Sequence, residues 1–222
     1  TPEQLKNFCD QVEFESKKET LFERALEVHL YRTMAEFLGK EDGYCRGRGG
    51  GMHIADFNVG HLGANAIVGG SMAIATGAGM SIKLQGKDRV AVCFHGDGAV
   101  NTGIWAESLN MACMAQFREK GVRVIYVVEN NQYAISGQMR GELTGIDHLA
   151  RRGFAYAQNG MHAEVVNGMD VLAVRDAVNR ALEKHRQHLG PVLLEMMTYR
   201  FFGHMLGDPE RYRSKEEVAA WK

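Results

Sequence analysis

The sequence predicts an α/β fold: a doubly wound parallel sheet with helices on both faces. Three observations carry the prediction. Strand-like and helix-like segments alternate from about residue 67 to residue 199. The strand candidates "RVAVCF" and "VRVIYVV" are apolar along nearly their whole length, as strands buried on both faces must be. Glycine- and asparagine-rich turns follow them directly, at the end where open parallel sheets bind ligands. With 222 residues, of which 45% are hydrophobic, the chain is long enough for one domain with a substantial core, and a single domain over 1-222 is the expectation.

The elements follow in order. From Glu3 to Leu38 the apolar residues Leu5, Phe8, Cys9, Val12, then Leu21, Phe22, Ala25, Leu26, Met34 and Phe37 recur at helical spacing, which predicts a helical amino-terminal segment over 1-38. The stretch "GKEDGYCRGRGGGMHIADFNVGHLGANA" is too irregular for an element and too long for an idle connector, so it reads as a functional loop. A small-residue helix follows over about 67–84, then the strand "RVAVCF", a helix over about 101–116 and the strand "VRVIYVV". The alternation repeats once more. "AEVV" is a strand, Asp170 caps a helix carrying Val171, Val174, Val178, Ala181 and Leu182, Gly190 stops it, and "PVLLEMMTY" is a further strand. Gly69, Gly70, Gly77 and Gly79 in the small-residue helix cost helix propensity, and close approach of another helix, either within this domain or at an interface with another subunit, offsets it.

Composition narrows the class. The charge is nearly balanced, 26 Lys plus Arg against 27 Asp plus Glu, which gives no footprint for nucleic acid or an anionic membrane. No apolar run approaches the roughly 18 residues of a membrane span, and no secretory signal is evident. Cys9, Cys45, Cys93 and Cys113 lack CxxC spacing and read as free thiols, so a reducing, cytoplasmic setting is expected.

The turn "GDGAVNTG" poses the chemical question. Gly96, Gly98 and Gly103 miss the G-x-G-x-x-G spacing of a dinucleotide fold, and Glu119, near the spacing of that fold's ribose-binding acid, precedes the next strand instead of closing it. Asp97 would also repel a diphosphate some 4 Å away by about 4 kcal/mol per charge pair at an effective dielectric near 20. A divalent cation removes the conflict. Magnesium takes an octahedron of oxygens from one or two protein groups, phosphate and water. The next strand ends at Asn130 and Asn131, which offer neutral amide oxygens, and the backbone carbonyls around Tyr133 follow. Asp97 would then hold a phosphate through a metal.

Five stretches in order, "GYCRGRGGGMHIAD", "GDGAVNTGIWAESLNMA", "ENNQYAIS", "VNGMD" and "TYRFFGHMLGDPERYRSKEE", resemble the alpha subunit of the thiamine-diphosphate-dependent 2-oxo acid dehydrogenases, from about Gly43 onward. This family comprises the first components of the pyruvate, branched-chain 2-oxo acid and acetoin dehydrogenase complexes. The resemblance implies a thiamine-diphosphate-binding fold in which Asp97, Asn131 and the carbonyl of Tyr133 ligate Mg2+. Backbone of Gly96, Gly98 and Ala99 would face the diphosphate, and Ala66 and Val68 the aminopyrimidine ring. His204 and His53 would stand at the active-site mouth, with His204, a cofactor contact as well, the better placed to stabilise charge on the substrate oxygen or assist acyl transfer.

It further implies decarboxylation of a 2-oxo acid, pyruvate foremost, and acyl transfer to a lipoyl-bearing acyltransferase component. A beta subunit would complete the site in an α2β2 heterotetramer. The alternatives are an acetoin dehydrogenase alpha subunit and a catalytically incomplete assembly subunit of the same fold. The sequence departs from the family pattern at three places. Tyr31–Arg32 lies too near "GYCRG" to be the family's diphosphate-gripping pair, the segment "QFREKG" lengthens the gap between the metal motifs, and Met205 replaces the serine of regulated members. Of the remaining histidines, His185 and His188 sit at a helix carboxyl end, where positive charge favours the helix dipole.

Overall fold

The computed structural model describes residues 1–117, 121–139 and 141–222. Glu119 and half of the "QFREKG" segment, residues 118–120, therefore lie outside the described residues. The chain divides into two compact units, residues 1–67 and 68–222.

In the first unit the predicted helical segment is two helices, α1 (Pro2–Cys9) and α2 (Leu21–Phe37). The break between them ends at Thr20, whose hydroxyl accepts the Glu23 N–H while the Glu23 side chain returns to the Thr20 backbone. Phe8, Ala25 and Val28 form the unit's small core, with Leu5, Val12, Phe14 and Tyr44 against it. The glycine-rich loop carries no long element, as expected, but it is organised from α2. Glu36, fully buried, accepts the N–H groups of Cys45, Gly47, Gly49 and Gly50 at 2.7, 2.9, 2.8 and 2.9 Å. Desolvation pushes this carboxyl upward, but the four donors outweigh it and hold it below the ordinary glutamate value.

The second unit is the α/β body. Helix α3 (Gly70–Leu84) leads into β1 (Ala91–Gly96), α4 (Gly103–Ala112), β2 (Val124–Asn130), β3 (His162–Asn167), α5 (Val171–Arg186) and β4 (Val192–Met197); α6 (Lys215–Trp221) follows. The four strands are all parallel in the order β1-β2-β4-β3. The crossovers β1 to β2 and β2 to β3 run one way across the sheet and β3 to β4 runs back. Right-handed connections therefore put α4 and the 3-10 segment Leu149–Asn159 on one face and α5 on the other. Trp105, Leu109, Met72, Tyr126 and Leu149 fill the first face, and Ile125, Val127, Ala177, Ala181 and Leu194 the second. Two-sided burial explains the apolar strands. β1 is covered on one face only, its Val92 and Phe94 remaining exposed on the α5 side.

Boundaries shift by small amounts with identifiable causes. Helix α4 closes at Ala112 instead of near 116, because the Cys113 N–H is shared between the Leu109 and Asn110 carbonyls, which tightens the last turn. Strand β2 runs on to Asn130 because Asn130 still pairs with Met197 of β4. Asp170 caps α5 through the N–H groups of Leu172 and Ala173. His185 corrects the helix-dipole reading: it is buried, and desolvation lowers its pKa to about 4, so it is neutral and brings no charge to the helix end. In α3, Gly79 is explained within the unit, since a Cβ there would lie 2.9 Å from the Arg123 carbonyl, whereas one at Gly77 would meet nothing.

Candidate active site

The site is built where β1 and β2 leave the sheet. Their parallel pairing ends with Gly96 opposite Glu129, so the Asp97–Asn101 turn and the Asn130–Ala134 turn emerge side by side. A Cβ on Gly98 would stand 3.4 Å from the Ala134 Cβ, so the glycine lets the turns close on each other. Arg152 braces the first turn, donating to the Val100 carbonyl at 2.6 Å and to Asn101 Oδ1 at 2.8 Å.

Asp97 is only 2% exposed. Its Oδ1 accepts the Gly98 N–H at 2.8 Å, and its Oδ2 is buried with no hydrogen-bond partner among the described residues. Desolvation raises its pKa to about 6, against the opposing pull of the Gly98 and Gln132 N–H groups and the Arg200 charge. A buried carboxylate in this condition is suited to a bound cation.

The two asparagines divide their work. Asn130 is buried, accepts the Gln132 N–H at 3.0 Å and donates to Glu195 Oε1 at 2.6 Å, so it is structural. Asn131 accepts the Tyr133 N–H at 3.0 Å, which keeps one lone pair of Oδ1 for a ligand, and its side chain lines a groove of about 600 Å³. Val92 and Phe94 line the apolar part of that groove, and Glu129, Thr198 and Arg200 its polar part. The Tyr133 carbonyl accepts from Arg200 at 2.8 Å and retains its second lone pair. Asp97, Asn131 and the Tyr133 carbonyl thus stand on adjoining turns as one acid and two neutral oxygens, a donor set suited to a hard dication.

Gly96, Gly98 and Ala99 belong to the first turn or its entry, and the Gly98 N–H is the one given to Asp97 Oδ1. Val68 is exposed just ahead of α3, and a Cβ on its neighbour Gly69 would meet Thr102 Oγ1 at 2.4 Å, which puts the start of α3 beside the same turn. His204 lies on the exposed loop after β4. Its backbone N–H donates to Asp208 Oδ2 at 2.8 Å, and the same oxygen accepts the Tyr212 hydroxyl at 2.7 Å. Ala66 and His53 are exposed residues of the 1–67 unit, where Cys45 Sγ donates to the His53 carbonyl at 2.9 Å.

Sequence reasoning missed three supports of the site: Arg200, Arg152 and Glu195. Glu195 is fully buried in β4 and accepts the Ala150 N–H at 2.8 Å besides Asn130. A lone acid inside the apolar run "VLLEMM" is the signal that would have found it, since a strand buried on both faces tolerates a carboxylate only with dedicated partners.

A family profile described as "Dehydrogenase E1 component" matches residues 14–222. The chain belongs to this E1 family. Its relatives include the alpha subunit of the acetoin:2,6-dichlorophenolindophenol oxidoreductase of Bacillus subtilis, 42% identical over 184 residues, covering 83% of this chain and 53% of the relative. The pyruvate dehydrogenase E1 alpha subunit of Porphyra purpurea is 42% identical over 201 residues, covering 87% and 56%. That of Rhizobium meliloti is 39% identical over 185 residues, covering 83% and 51%. The chain spans about half the length of these E1 relatives. The E1 family is one of thiamine-diphosphate-dependent enzymes, and its alpha subunits are parts of oxidoreductases. No helix among the described residues is long and apolar enough to cross a membrane.

Proposed function

We propose that the chain is the alpha subunit, or the cofactor-binding part of one, of a thiamine-diphosphate- and Mg2+-dependent 2-oxo acid dehydrogenase acting on pyruvate. The observation that carries this reading is the buried Oδ2 of Asp97 beside the Asn130–Ala134 turn, with no hydrogen-bond partner among the described residues. That acid suits a cation, and a dication held there would turn a diphosphate-repelling surface into a diphosphate-binding one.

Asp97 would hold Mg2+ with Asn131 and the Tyr133 carbonyl, and the backbone of Gly96, Gly98 and Ala99 would face the diphosphate. Val68 and Ala66 would flank the aminopyrimidine. Thiamine diphosphate, when bound, supplies a nucleophilic carbon and the electron sink for loss of carbon dioxide. The chain's part is position and charge. His204 would donate a hydrogen bond to the substrate oxygen as charge builds there or assist acyl transfer, and the loop around it is exposed; His53 is the second catalytic candidate. A beta subunit would supply the remaining acid–base group, and a lipoyl-bearing acyltransferase component would accept the acyl group. The cytoplasm is the proposed location.

Acetoin is the second reading, because the Bacillus subtilis acetoin oxidoreductase subunit is as similar to the chain, at 42% identity, as the Porphyra purpurea pyruvate dehydrogenase subunit. Co-expression with a beta-like partner, followed by assay of the pair on pyruvate, branched 2-oxo acids and acetoin with an artificial electron acceptor, tests both. The expected result is turnover by the pair and not by this chain alone, fastest on pyruvate. An assembled, cofactor-loaded pair inert on every 2-oxo acid overturns the proposal.

A further inference from the structure

Arg200 stands at a junction that the reading above leaves unused. It follows β4, and its guanidinium forks across two successive carbonyls of the neighbouring turn. Nη2 donates to the Tyr133 oxygen and Nη1 to the Ala134 oxygen, each at 2.8 Å. Nη1 also lies 3.4 Å from the Tyr212 hydroxyl, and the Arg200 carbonyl accepts a hydrogen bond from Arg213. The fork is held at both its stem and its tip. Arg213 in turn sits over the rings of Tyr133, Tyr199 and Tyr212 and pairs with Glu210, so the anchor of Arg200 is itself anchored.

We infer that Arg200 is a positioning residue that fixes the Tyr133 carbonyl in direction and distance, so that the site accepts the small, octahedral Mg2+ over the larger Ca2+. The inference rests on the metal-site reading above. Mg2+ demands near-ideal octahedral geometry at about 2.1 Å, whereas Ca2+ accepts irregular shells at 2.3–2.6 Å. A backbone carbonyl in a turn has freedom to tilt, and one hydrogen bond to the Tyr133 oxygen, with its twin from the same planar group to the next carbonyl, restrains both peptide planes together. The carbonyl's second lone pair is then presented in a single direction.

Charge alone would predict the opposite. A guanidinium near a dication repels it, so an arginine placed merely as a counter-charge for Asp97 would weaken metal binding. Lysine keeps the charge but not the planar fork. Arg200→Lys and Arg200→Met therefore separate geometry from charge.

The experiment is calorimetric titration of the full chain with thiamine diphosphate in Mg2+ or in Ca2+, for wild type and both variants, beside their melting temperatures. Both variants are expected to lose affinity in Mg2+ by roughly tenfold or more, the range typical of groups that orient metal ligands, and to lose markedly less in Ca2+. Equal losses with both metals, accompanied by a lower melting temperature, overturn the inference in favour of a general structural prop. Tighter Mg2+ binding by Arg200→Met, with Arg200→Lys unchanged, overturns it in favour of simple charge. Wild-type protein that takes up the cofactor with neither metal overturns the metal-site reading itself, whereas normal wild-type uptake with unaltered variants removes only the role of Arg200.

Discussion

Asn130 Nδ2 donates to Glu195 Oε1 across 2.6 Å at the buried junction of β2 and β4. This bond ties the base of the candidate metal turn to the sheet, and it separates two adjacent asparagines by role. Asn130→Ala leaves a buried carboxylate short of a partner and is expected to cost about 3 kcal/mol of stability. Asn131→Ala is expected to leave the unfolding midpoint nearly unchanged while weakening Mg2+-dependent cofactor uptake. Denaturant melts and calorimetry on the two variants check the division; equal stability losses would contradict it.

Glu36 gives a second prediction, confined to the 1–67 unit. Its carboxylate accepts four backbone N–H groups of the glycine-rich loop, two on each oxygen. Glu36→Gln turns one oxygen into a donor that faces two donors, so a loss of roughly 3 kcal/mol is expected. Amide exchange at two of these four positions should accelerate. The pKa is depressed in the folded state, so the stabilisation is full above the ordinary glutamate range and disappears as pH falls below it through the lowered value. Amides that keep wild-type protection in the variant would contradict this account of the loop.

A third prediction concerns acid sensitivity above the carboxylate range. His185 and His95 are buried, and desolvation lowers each pKa from 6.5 to about 4. Trp105 Nε1 donates to His95 Nε2 at 2.8 Å, which leaves the proton of the neutral ring on Nδ1. In these cases the unfolded chain takes up the proton first, so stability falls as pH drops from about 6.5 toward 4, by roughly 3 kcal/mol for each group. His185→Gln should remove about half of the fall that the two histidines contribute across that window, as followed by urea melts at stepped pH. A slope unchanged from wild type would refute it.

Much of this architecture was legible. Alternating periodicity located the four strands and the helices α4 and α5; β2 and β4 are apolar because both of their faces are buried, whereas β1 is apolar although one of its faces is open. Asp170 announced the start of α5 through its side-chain chemistry. The Leu149–Asn159 segment, "LARRGFAYAQN", was not legible: it is a 3-10 run whose spacing matches neither a helix face nor a strand alternation. Helix α6, also missed, is short; its Trp221 stacks on Tyr199 at 4.8 Å.

At the site, the acid and the amides were visible because they fall together at the carboxyl ends of successive strands, where each alone would read as an ordinary turn. Their supports were not. Arg152 and Arg200 act on backbone carbonyls of segments distant in sequence, and a bond to a carbonyl leaves no mark on the residue that provides it. The same holds for the four N–H groups on Glu36, which in sequence is an ordinary acid near the end of an amphipathic helix.

The central claim is that Asp97 holds a dication, and Asp97→Asn tests it most directly because the amide preserves shape while removing charge. Burial holds the wild-type carboxyl near a pKa of about 6, which costs the metal-free protein about 3 kcal/mol at neutral pH, so the metal-free variant should melt no lower than wild type. Calorimetric titration of both proteins with thiamine diphosphate in the presence and absence of Mg2+ is the decisive measurement. The account predicts Mg2+-dependent binding by wild type and at least about a 100-fold loss in the variant. Equal affinity in the two proteins would contradict it.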